Sequence, residues 1–164
     1  MGQFRTPAYR AVTEPAGAPP DAPRTPRPPN RVQVSWRGDE EFEAGRPGGP
    51  ASRIDGHGKV AQGPVDWVLS ALGACTAIDV VSILAKRRTP VESIDIEVIG
   101  HRVEGTPRRL RHVILRFTIR GPGLEQIHAD RAVELAVTRY CSVRDSLRDD
   151  IRIVWEVSLP SSRS

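Results

Sequence analysis

One stretch of the chain is apolar on nearly every side. Read as a helix over residues 64–87, it places Val65, Val68, Leu69, Leu72, Ile78, Val81 and Leu84 at helical spacing. Ala71, Gly73, Ala74, Ala77 and Val80 fill the other faces. A helix of that kind has to be covered all round. Pro64 suits its first turn. Lys86, Arg87 and Arg88 suit its carboxyl end, and Pro90 stops it. The chain has few other elements to cover it with, so a second subunit is expected.

Those other elements are mostly strands. RVQVSW (31–36) alternates and runs into a charged turn at 37–40, with EFEAG as its return strand. Residues 45–63 are rich in glycine and proline, with a short strand at 53–55. SIDIEVIGHRVE (93–104) and LRHVILRFTIRG (110–121) alternate apolar and charged residues. In the second, Arg111, Val113, Leu115, Phe117 and Ile119 share the expected core face. A second helix is predicted over 127–142, and IRIVWEVSL (151–159) closes as a strand. Hairpins outnumber crossovers, which predicts an α+β fold.

The first thirty residues hold eight of the chain's fifteen prolines and no apolar pattern. Residues 1–30 are therefore read as a disordered or extended tail, and 31–160 as one domain. No uncharged apolar run reaches the length of a membrane span, and no signal peptide is visible. With only two cysteines, the expected compartment is a reducing cytoplasm. Net charge is +4, but the arginines are scattered and no nucleic-acid motif appears. His57, His101, His112 and His128 show no ligand spacing, so neither a metal nor a cofactor is expected.

The two cysteines, Cys75 and Cys141, both fall in apolar helical segments. Two readings stand open. They are inert core residues, as free cysteines often are, or they are a reactive pair. Small neighbours (Gly73, Ala74, Thr76 and Ala77) leave room beside Cys75 for the second. Against it, Cys75 lies mid-helix, and Asp79 one turn on disfavours a thiolate. A reactive Cys75 then needs help from elsewhere, with arginine the expected supplier.

The segment GPVDWVLSALGACTAIDVVSIL, followed some sixty residues later by RAVELAVTRYCSV, resembles the OsmC/Ohr family of thiol-dependent peroxidases, and its YhfA-like branch in particular. The likeness covers residues 31–159. It implies an intertwined homodimer in which antiparallel sheets wrap two long central helices. It also implies a chemistry: Cys75 is oxidised by an organic hydroperoxide, Cys141 closes a disulfide with it, and an external dithiol restores both. Family members hold the thiol with an arginine and a glutamate. The glutamate position here is Val65, so the neighbouring Asp66 is the acidic candidate. Arg37 matches an arginine from the hairpin, and Arg53 one from the following loop. The departures keep a rival open, a dimeric small-molecule-binding or redox-sensing protein of the same fold without peroxidase activity.

Overall fold

A computed structural model describes residues 28–160. The expected tail over 1–30 falls outside the described residues, save for 28–30. Strands β1 (Gln33–Gly38), β2 (Glu41–Gly45) and β3 (Ala51–Asp55) form one antiparallel sheet. Helix α1 (Pro64–Lys86) follows. Strands β4 (Ser93–Arg102) and β5 (Leu110–Arg120) begin a second sheet, which β6 (Arg152–Ser158) completes. Between β5 and β6 lie α2 (Gln126–Leu135), a π-helical turn (Ala136–Tyr140) and a single turn, α3 (Ser142–Asp145).

The core forms where α1 and α2 lie on the second sheet. Val113, Leu115, Phe117 and Ile119 of β5 are buried, as the alternation predicts, and Arg111 at the end of that row is exposed. Leu72, Val80 and Leu84 of α1 meet them from one side; Ala129, Ala132 and Val133 of α2 complete the cluster. Two glycines set how closely α1 approaches β4. A Cβ on Gly73 would stand 2.9 Å from Val98 Cγ2, and one on Gly100 2.8 Å from Leu69 Cδ1. Larger residues at either position would lift the helix off the strand.

The ends of α1 follow from local chemistry. The Asp66 carboxylate accepts the Gly63 N–H at 3.0 Å, which ties down the chain just before Pro64. At the far end Arg88 adopts a left-handed φ of 64°, and the Thr89 N–H returns to the Leu84 carbonyl at 3.1 Å. By length and hydropathy alone α1 could cross a membrane. It carries Asp66 and Asp79 within it, and its Leu72–Leu84 face packs into the core.

Two expectations need correction. The second sheet is not wholly antiparallel, because β6 runs parallel to β5, with Leu115 opposite Trp155. The thirty-odd residues between them make a helical crossover, the kind of connection parallel neighbours require. The second helix is also not continuous over 127–142. After Leu135 it widens into the π turn, in which the Cys141 N–H reaches the Ala136 carbonyl at 3.0 Å, and it breaks at Cys141.

The β1–β3 sheet stands off as an arm, with no substantial packing against the helices or the second sheet. Register puts Val34, Trp36, Phe42 and Ile54 on one face. Val34 and Trp36 are 60% and 66% exposed. Along α1, Ile78 and Val81 are likewise 67% and 39% exposed, while Leu72 is buried.

A loop beyond the arm is held by Asp55, whose buried carboxylate accepts the N–H groups of His57, Lys59 and Val60 at 2.8–2.9 Å. The Val60 bond, first of these, outweighs the opposing effect of burial, and its pKa falls below the usual carboxylate value. A depressed folded pKa stabilises the fold above the unfolded value, and that contribution is lost as pH falls through the folded value. Asp55→Asn should therefore flatten the acid side of a thermal-melt profile. An acid limb identical to wild type would refute the assignment.

Candidate active site

The break at Cys141 is what brings the two thiols together. Had α2 run on as one helix, residues 141–143 would have continued along its axis. Instead Cys141 takes an extended conformation (φ −69°, ψ 101°), and α3 restarts against the middle of α1. The Cys141 sulfur caps that turn, accepting the Arg144 N–H at 3.4 Å. Across from it, Cys75 Sγ lies 3.9 Å from Ser142 Oγ. The Cys141 thiol and the Val143 N–H are also close enough to act on Cys75. Both cysteines are free.

Their acidities diverge. Burial pushes the Cys75 thiol up, and Asp79 adds to that. The Val143 N–H, the Cys141 thiol and the Ser142 hydroxyl pull it down, and the net position is below an ordinary thiol. Cys141 is buried more deeply, and burial leads the causes that push it up to about 11. The Arg144 N–H opposes this, but the neighbouring Cys75 adds to the rise. Cys75 is thus the easier thiolate and the more accessible of the two residues. The objection raised by Asp79 is real in sign but outweighed.

The other candidates lie elsewhere in the single chain. Arg37 Nε donates to Glu43 Oε2 at 2.9 Å, across the β1–β2 pair. Arg53 Nη2 donates to both oxygens of Glu41 at 2.7 Å. Both ion pairs are on the arm, and neither guanidinium hydrogen-bonds to a cysteine. Asp66 precedes Cys75 by nine residues, about two and a half helical turns, and so faces the opposite side of α1. There it lines a cavity of about 420 Å³ between α1 and β4 with Leu69, Ser70 and Gly73. Ser142 and the Val143 N–H were not among the residues predicted for the site. Only the sequence Cys-Ser-Val at an expected helix end hinted at them.

Comparison with known proteins gives one consistent result. A family model described as OsmC-like protein matches residues 56–156. Protein YhfA of Escherichia coli (strain K12) is 36% identical over 124 residues, covering 75% of this chain and 92% of that one. An OsmC-like protein from Mycoplasma pneumoniae superposes with a TM-score of 0.69 at 18% identity, over 79% of this chain and 95% of that one. The Organic Hydroperoxide Resistance Protein OhrB of Bacillus subtilis gives 0.55 at 14% identity, over 78% and 98%. These two likenesses are of fold.

Proposed function

Because the chain belongs to the OsmC-like family, we propose that it is a thiol-dependent peroxidase that reduces organic hydroperoxides with two cysteines. The observation that carries this reading is the meeting of two free thiols, with Cys75 set against the turn that the Cys141 sulfur caps.

The chemistry follows from the acidities. The Cys75 thiolate attacks one oxygen of the hydroperoxide. An S–O bond forms, the O–O bond breaks, and the alkoxide leaves with a proton as alcohol. Cys75 is left as a sulfenic acid. That product is uncharged, so the charge repulsion that Cys75 imposes on Cys141 disappears. Cys141 can then ionise and attack the sulfenic sulfur. The S–S bond forms, the S–O bond breaks, and hydroxide leaves with a proton as water. An external dithiol exchanges into the disulfide, returning both thiols and leaving as its own disulfide.

Substrate preference rests on the surroundings. Val68, Ala71 and Leu72 precede Cys75 by one to two turns on its own side of α1, which favours an organic hydroperoxide over hydrogen peroxide. The active unit is a homodimer. The exposed apolar faces of α1 and of the arm support this, since each would be covered by a second copy. In such a dimer the arm of one chain could bring Arg37 or Arg53 to the Cys75 of the other, and Asp66 could act likewise across the interface.

One observation favours the rival reading, a binding or redox-sensing protein. Among the described residues no guanidinium hydrogen-bonds to Cys75, and Asp79 opposes its ionisation. The test is consumption of cumene hydroperoxide with a dithiol present. Turnover faster with cumene hydroperoxide than with hydrogen peroxide is expected. Stoichiometric oxidation of Cys75 without turnover would select the sensor, and no oxidation at all the binder.

A further inference from the structure

Ser142 has no part in the two-thiol cycle, yet its hydroxyl stands 3.9 Å from Cys75 Sγ and makes no other hydrogen bond among the described residues. We propose that Ser142 is a catalytic residue whose hydroxyl donates to the Cys75 sulfur and holds it as thiolate, taking on part of the work otherwise expected of an arginine. This rests on the reading of Cys75 as the nucleophile.

Three features support it. The direction of the bond is fixed by chemistry: a thiolate has no proton, so in the reactive state only the hydroxyl can donate. A thiol–hydroxyl contact of 3.9 Å is long, and the charge on a thiolate draws such a donor closer. The hydroxyl is also well anchored. The Ser142 carbonyl accepts both the Ser146 hydroxyl at 2.7 Å and the Ser146 N–H at 3.0 Å, so the residue is pinned at the start of α3. Its side chain bonds to nothing in its own turn, unlike Thr76, whose hydroxyl is taken up by the Leu72 and Gly73 carbonyls. The Ser142 contribution to Cys75 acidity is downward, as is that of the Val143 N–H in the same turn. Opposing both are burial and Asp79. Among the described residues no guanidinium hydrogen-bonds to Cys75, and the groups that favour its thiolate are Ser142, the Val143 N–H and the Cys141 thiol.

The test is the pH dependence of Cys75 alkylation by iodoacetamide in the full-length protein, in which the thiolate sulfur bonds to carbon and iodide leaves. Mass spectrometry of the Cys75 peptide separates it from Cys141. In wild type the midpoint should lie below that of a free thiol, about 8.5. Ser142→Ala should move the midpoint upward and slow alkylation about tenfold at pH values well below it, the effect of losing one charge-assisted hydrogen bond. Ser142→Thr should restore the wild-type profile, and Ser142→Val, which differs from it by a methyl in place of the hydroxyl, should not. This pair decides the matter even if the alanine variant is unstable. Identical profiles for the threonine and valine variants would overturn the role of Ser142 and leave the two-cysteine cycle standing. A wild-type midpoint at or above that of a free thiol would overturn the reading of Cys75, and this inference with it.

Discussion

Cys75→Ser should bring dithiol-dependent hydroperoxide reduction down to background, a loss on the order of 10³-fold or more, as removal of a nucleophile generally does. Cys141→Ser should behave differently. Its Cys75 still attacks the peroxide, but the sulfenic acid has no partner beside it. Turnover should stall with a dithiol that depends on the internal disulfide. It should continue with a small monothiol, which can resolve the sulfenic acid from outside. A sulfenic-acid trap should label Cys75 in this variant and leave it unlabelled in wild type given time to close the disulfide. The asymmetry is the sharp part of the expectation. The two thiols differ in burial and acidity, so exchanging their roles is not an equivalent outcome. A Cys75→Ser variant as fast as wild type would refute the assignment, as would a sulfenic acid trapped on Cys141 in that variant.

Ile78→Glu should separate the subunits. Ile78 is 67% exposed on α1 although its helix neighbours Thr76 and Val80 are fully buried. In the proposed dimer it would be enclosed, and a carboxylate there would be buried without a partner, at a cost of several kcal/mol. Sedimentation should show a dimer for wild type at micromolar concentration and a monomer for the variant. The monomer should keep its helical signal, because the Leu72, Leu84 and Phe117 core is untouched. A wild-type protein that sediments as a monomer would remove the dimer from the proposal.

The parts of the fold legible in the sequence are those written in local periodicity. Helix α1 carries apolar residues on nearly every face, so its extent is readable, and Pro64 and the basic triplet mark its ends. The core face of β5 follows from the alternation from Val113 to Ile119, which only Ile114 interrupts. What could not be read is where spacing is silent. RAVELAVTRYCSV keeps helical spacing through Cys141, and a π turn changes only which carbonyl each N–H reaches. Ser142 was hidden for the same reason, since it meets Cys75 only because the helix breaks. The direction of β6 has no local signature either, as alternation is the same read up or down a strand. The arginines illustrate a third case. Register alone would set Arg53 opposite Glu43, yet Arg53 pairs diagonally with Glu41, and Arg37, at the bulge between Trp36 and Gly38, takes Glu43. The opposition of Asp66 and Cys75 needed no structure, as it follows from nine residues at helical pitch.

The detached arm also bears on the genetics of this protein. If each arm completes the site of the neighbouring chain, the nucleophile and its activating cation are encoded in one gene but act on different molecules. A lesion in the arm and a lesion at Cys75 would then complement when expressed together. One of the two sites in a mixed dimer would draw an intact thiol from one chain and an intact arm from the other. The second site would collect both defects. Activity would be inherited by the pair of chains and by neither alone.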